Sequence, residues 1–118
     1  MSDCVFCMIA SGEIPSTPVY EDETVLAFDD IAPQAPVHTL IIPRAHYRDI
    51  NDSVPDEVLV ALLRAVPAVA AAKGVDASGY RVIVNTGDDA GQTVHHLHVH
   101  VIGGRSLGEG MVRPAEGE

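Results

Sequence analysis

Tryptophan is absent from the 118 residues, and cysteine occurs only twice. Two cysteines do not make a disulfide scaffold, so the expected setting is a cytoplasmic one with reduced thiols. Basic residues are scarce, with 7 Lys and Arg against 17 Asp and Glu, a net charge of −10. That balance argues against a nucleic-acid groove or an anionic membrane surface, because both need clustered cations. No long hydrophobic run occurs. The longest apolar stretch, Val58 to Ala72, is interrupted by Arg64 and Pro67, too short and too broken for a bilayer span. No basic segment precedes an apolar run near Met1, so no secretory signal is expected. What is present is ordinary for a globular domain, 47% hydrophobic and 20% charged, and the length suits one domain.

The patterning reads as α+β with a mainly antiparallel sheet. Residues 1–12 suggest a short helix or turn. Val19-Tyr20 and Val25 to Phe28 read as strands around the acidic turn Glu21-Asp22-Glu23, and Thr39 to Ile42 as a strand buried on both faces. A helix is expected over Ser53 to Lys73. Ser53 serves as cap, Pro55 lies in the first turn, Val58, Leu59, Leu62, Leu63, Val66 and Val69 recur at helical spacing, and Gly74 closes it. Pro67 should kink it or remove a hydrogen bond. So little of this helix is polar that a partner subunit is expected over a second face. Further strands are expected at Arg81 to Asn85 and His96 to Ile102, joined by a turn-rich loop. Residues 1–104 read as the domain and 105–118 as a partly ordered tail.

The chemistry concentrates in His95-His96-Leu97-His98-Val99-His100-Val101-Ile102. Strand side chains alternate, so His96, His98 and His100 share one face and Leu97, Val99 and Val101 the other. Three imidazoles in line could be an exposed polar face, a metal site, or a nucleophile with its acid and base partners. The preceding Gly91-Gln92-Thr93 offers backbone amides, an amide side chain and a hydroxyl to an anion. Cys4-Val5-Phe6-Cys7 could be redox-active, incidental or half of a zinc site. His46 is a candidate third ligand, with His95 or His96 as the fourth.

His96-Leu97-His98-Val99-His100-Val101-Ile102 resembles the signature of the histidine triad (HIT) family. Phe28-Asp29-Asp30-Ile31-Ala32-Pro33-Gln34-Ala35-Pro36-Val37-His38 resembles its nucleoside-pocket segment. Asn85-Thr86-Gly87 with Gly91-Gln92-Thr93 resembles the loop before the triad, and Gly103-Gly104-Arg105 the segment after it. The likeness covers nearly the whole chain and is nearest the Hint branch of purine nucleoside phosphoramidases.

That resemblance implies a five-stranded sheet with one long and one short N-terminal helix, the sheet extended across a homodimer. It implies that His98 attacks the α-phosphorus of a purine nucleoside 5′-phosphoramidate, forms a nucleotidyl-histidine, and releases nucleoside monophosphate after hydrolysis. Related implications are a dinucleoside polyphosphate hydrolase, a nucleotide phosphorylase, or a nucleotide-binding scaffold with incidental activity. His100 would exchange protons or hydrogen bonds at the phosphate, and His38 would lie behind His98. Asn85, Gln92 and Thr93 would hold phosphate oxygens, with Gly91 beside them. Asp30 would bind ribose, and Phe6, Ile9, Phe28 and Ile31 would form the base pocket. By likeness to bacterial members, structural zinc would be held by Cys4, Cys7, His46 and His96, with His95 as rival, and no cofactor serves the chemistry. The tail departs from the animal enzymes, which end in a segment with tryptophan.

Overall fold

The computed structural model describes residues 4–112. Residues 1–3, within the expected N-terminal helix, and 113–118, at the end of the expected tail, lie outside the described residues. The chain runs α1 (Val5–Ser11), β1 (Tyr20–Glu21), β2 (Val25–Asp29), β3 (Val37–Pro43), α2 (Asp56–Ala72), β4 (Tyr80–Ile83), a 3₁₀ turn (Asp88–Ala90) and β5 (Val99–Gly103). The five strands form one sheet in the order β1-β2-β3-β5-β4, with every pair antiparallel.

Strand parity separates two faces. Val25 and Ala27 of β2, Ile41 of β3 and Val99 and Val101 of β5 pack against Val58, Leu62, Ala65, Val66 and Val69 of α2. The intervening residues Leu26, Phe28, Leu40 and Ile42 pack with Phe6 of α1 on the opposite face. His38 pairs with Ile102 and Leu40 with His100 across β3 and β5. Both histidines therefore fall on the face away from α2. β3 is buried at all seven positions, as its β-branched run requires.

α2 starts later than its composition suggests. Pro55 occupies the N-cap position with no side-chain cap bond, and its carbonyl accepts from Val58 and Leu59 N–H. Ser53 does not cap, because its backbone is left-handed at φ 51° and serves the preceding turn. At the other end Gly74 N–H donates to Ala71 O and Val75 N–H to Ala70 O, a paired closure that needs the left-handed φ of 74° at Gly74. Val75 and Ala70 meet in a small apolar cluster with Val37. The helix runs unbroken through Pro67, which is exposed. The lost N–H bond thus falls on the side where water can serve the Leu63 carbonyl. Among the described residues no helix is long and apolar enough to cross a membrane.

Two strands are shorter than expected. β4 ends at Ile83, so Val84 and Asn85 already belong to the loop, and β5 begins at Val99 rather than His96. The reason lies at 96–98. His96 turns its ring to the Pro43 carbonyl, and Leu97 N–H donates to Tyr47 O, so this segment bonds to the 43–47 bend and not to a strand.

Candidate functional site

A cleft of about 550 Å³ opens on the face away from α2. Its apolar lining includes Phe6 and Ile9 of α1, Phe28 of β2 and Leu40 of β3, and its polar lining Asp30, His38, Asn85, Thr93, His98 and His100. The structure thus gathers nearly all the residues that the sequence nominated for this site. Ile31 lies at the rim and is fully exposed, so its side chain is covered only when something apolar fills the cleft. Leu40 and Val5 also line the cleft and were not foreseen. Leu40 was readable from parity, two residues beyond His38 on β3.

The imidazoles form an ordered chain. Gln34 N–H donates to His38 Nδ1 at 3.0 Å, so His38 carries its proton on Nε2. That Nε2 lies 2.8 Å from His100 Nδ1, and 3.5 Å from Asp30 Oδ2. His100 Nδ1 is then the acceptor and His100 Nε2 the protonated nitrogen. His100 Nε2 is buried and, among the described residues, is the one buried side-chain polar atom without a hydrogen-bond partner. A donor desolvated and unmatched in this way is costly unless a ligand matches it. His98 Nδ1 donates to the His96 carbonyl at 2.7 Å, which leaves the lone pair on Nε2. Burial lowers the His98 pKa, and burial with the neighbouring His98 and His38 lowers His100 to about 4. Both rings are neutral at neutral pH. His98 and His100 stand with ring centroids 4.9 Å apart. His38 was expected behind His98. Its direct partner is His100, because register sets it two residues along β3 from Leu40, opposite His100.

Gln92 differs from expectation more sharply. It is buried, its Oε1 accepts from Gly87 N–H, and its Nε2 donates to Arg48 O and Val94 O. Both donors and the acceptor are engaged with backbone, so the side chain clasps the loop and does not line the cleft. Gly91 and Gln92 N–H are likewise turned inward, to Asp88 O and Gly87 O. Neutral donors toward an anion therefore come from His100 Nε2, Asn85 and Thr93. Asp29 faces elsewhere, accepting from Thr39 Oγ1 and Lys73 Nζ, each at 2.9 Å.

Cys4, Cys7, His46 and His96 converge with their ligand atoms all within 4.8 Å of one another. Cys4 Sγ is 3.3 Å and Cys7 Sγ 3.5 Å from His96 Nδ1, and Cys7 Sγ is 3.2 Å from His46 Nδ1. Tetrahedral zinc–sulfur and zinc–nitrogen bonds would set such edges at about 3.5 Å. His96 Nε2 bonds to Pro43 O at 2.9 Å, which keeps its proton there and turns the Nδ1 lone pair toward the sulfurs. The donor set fits a zinc ion. His95 is exposed and outside the cluster. Asp30, His38 and His100 also lie within ligating distance of one another. Their chemistry differs, because the Gln34 amide holds the His38 proton on the nitrogen that would have to ligate.

The cleft thus sets an imidazole with its Nε2 lone pair available beside a buried imidazole N–H donor, on one face of an antiparallel sheet. The HIT domain family matches residues 11–107, and the chain belongs to that family. It is 48% identical over 107 residues to an uncharacterized HIT-like protein of Synechococcus elongatus, covering 89% of this chain and 93% of that one. It is 42% identical over 108 residues to the purine nucleoside phosphoramidase of Escherichia coli K12, covering 90% and 91%. A HIT family hydrolase from Clostridium thermocellum superposes with a TM-score of 0.89 at 43% identity, over 95% of this chain and 99% of that chain.

Proposed function

We propose that this chain hydrolyses purine nucleoside 5′-phosphoramidates, or closely related nucleoside phosphates, through a nucleotidyl intermediate on His98. The observation that carries the reading is the His98 Nδ1 bond to the His96 carbonyl, with His100 Nε2 an unmatched donor beside it. The His98 Nε2 lone pair forms a bond to the α-phosphorus, and the phosphorus–nitrogen bond of the substrate breaks. The amine, protonated on the substrate nitrogen, leaves as the neutral amine, and His100 Nε2–H donates to the phosphate oxygens as charge gathers there. The modified His98 becomes cationic, and its Nδ1–H bond to the carbonyl stabilises that charge. Water then attacks phosphorus, its proton passes to solvent, and the bond to His98 breaks to give nucleoside monophosphate with His98 neutral again.

Binding relies on shape and neutral donors. Phe6, Ile9, Phe28 and Ile31 offer apolar surface to a base, Asp30 offers a carboxylate to ribose hydroxyls, and Asn85 and Thr93 offer donors to the phosphate. A strongly acidic chain with no cation in the 85–102 segment suits one small nucleotide in a fitted cleft. Cys4, Cys7, His46 and His96 would hold a structural zinc ion, which supplies a cross-link and no chemical step. A homodimer is part of the same reading. β4 is an edge strand with Val82 39% exposed, and α2 presents Val60 and Leu63 at 50% and 61% exposure.

The test is hydrolysis of adenosine 5′-phosphoramidate carrying a fluorescent amine, beside diadenosine polyphosphates as competing substrates. His98→Ala is expected to lose on the order of 10³-fold or more in kcat/KM, the scale of removing a nucleophile. A phosphorus adduct on the His98 peptide should be trapped by mass spectrometry. Turnover unchanged in His98→Ala overturns the assignment.

A further inference from the structure

Phe6 stands between the two cysteines in sequence and against two histidines in space. Its ring meets His98 edge-on, with centroids 5.1 Å apart and planes at 88°. It meets His96 at 5.9 Å and 71°, and Phe28 at 5.5 Å and 73°. It is the buried residue of α1. A seven-residue helix does not hold itself together in water, so α1 depends on its attachments. Those are the burial of Phe6, the Cys4 Sγ cap on Cys7 N–H, and the approach of both sulfurs to His96.

The single hydrogen bond from His98 Nδ1 to the His96 carbonyl fixes one corner of the imidazole. The plane of the ring is set by what packs beside it, Phe6 and His100. His96 supplies that carbonyl while turning Nδ1 to the cysteines, and it is itself held by Pro43 O. We propose that Phe6 is a positioning residue for His98, and that its hold on the imidazole depends on the Cys4–Cys7–His46–His96 cluster. The inference rests on His98 as the nucleophile. Phe6 thus does more than line the cleft. It aims His98 Nε2, and the cluster keeps Phe6 in place.

The test uses the full chain and three preparations: Phe6→Leu, Cys7→Ser, and wild type treated with a zinc chelator. Nitrogen-15 NMR of labelled histidine, read without substrate, reports the His98 tautomer. Calorimetry with adenosine monophosphate reports affinity, and the phosphoramidate assay reports kcat. Phe6→Leu is expected to keep the metal content of the wild type and, since Phe6 also walls the base pocket, to weaken adenosine monophosphate binding. Its kcat should fall about tenfold or more, since small misplacements of a reacting atom are costly. Its His98 signals should move from a single Nδ1–H form toward an average of tautomers. Cys7→Ser and chelated wild type should show the same His98 change with Phe6 intact. Weaker affinity with unchanged kcat and unchanged His98 signals in Phe6→Leu would make Phe6 a pocket wall only, overturning the proposal. A wild-type His98 spectrum in both Cys7→Ser and chelated protein severs the link to the cluster. Failure of the nucleophile assignment is read separately, from turnover in His98→Ala.

Discussion

His38 donates its Nε2 proton to His100 Nδ1 across 2.8 Å, and the direction of that bond is set by the Gln34 amide on the far side of the His38 ring. Removing the donor releases His100 from its tautomer. In His38→Ala the kcat on a phosphoramidate should fall by roughly 10²-fold, the lower end of what losing a transition-state donor costs, with KM changed far less. His38→Asn should recover part of the rate by donating from its amide. Equal rates for wild type and His38→Ala would remove His38 from the positioning of His100.

Acid should destabilise the fold through the same histidines. His100 titrates near 4 in the folded chain and near its ordinary 6.5 when unfolded. As pH falls through that window the unfolded chain takes up a proton that the folded chain excludes, so stability drops from pH 6.5 toward 4. His96 and His98, both lowered chiefly by burial, act in the same direction. Urea midpoints against pH should fall less steeply in His100→Asn than in wild type. Identical slopes would contradict the burial assigned to His100.

Zinc should copurify at about one ion per chain and be lost in Cys4→Ser. Loss should lower the melting temperature by about 10 °C or more, since structural zinc contributes folding free energy. Elemental analysis with calorimetry decides it. Protein purified without chelator and holding no zinc would end the metal reading of this cluster.

Gln92→Ala separates two roles. Three backbone partners, Gly87 N–H, Arg48 O and Val94 O, lose their bonds. A cost of about 2–4 kcal/mol in urea unfolding is expected. A phosphate-contacting Gln92 predicts the reverse, intact stability with reduced kcat/KM.

Sedimentation at micromolar concentration should give a dimer. Leu63→Glu, placed on the exposed side of α2, should shift it toward monomer without unfolding it. A monomeric wild type would leave that apolar side unexplained by self-association.

Much of this was legible because periodicity is local. Alternation announced that His98 and His100 meet in the cleft, and helical spacing from Val58 announced α2, but His96 turns its ring to Pro43 O and the cysteines. What escaped depends on partners far along the chain. Gln92 looks like a phosphate donor beside glycine and threonine, until Arg48, 44 residues away, claims its amide. His38 could not be assigned to His100 before the β3–β5 register was known. The start of β5 at Val99 follows from bonds at Tyr47 and Pro43, which no pattern within 96–98 encodes. Gln34 left no trace at all, since it acts through its backbone.

The contact between Cys4 and His96 joins residues 92 apart in the chain. During synthesis the first turn of helix must wait for nearly the last strand before its cleft can close. A chain cut before His96 would lack β5, the strand between β3 and β4, and with it the floor beneath Phe6. Loop closure over such a span is paid before its contacts form, which makes this corner a late event in folding. The cleft beside Phe6 is therefore complete only once residues 4–7 and 96–98 have come together.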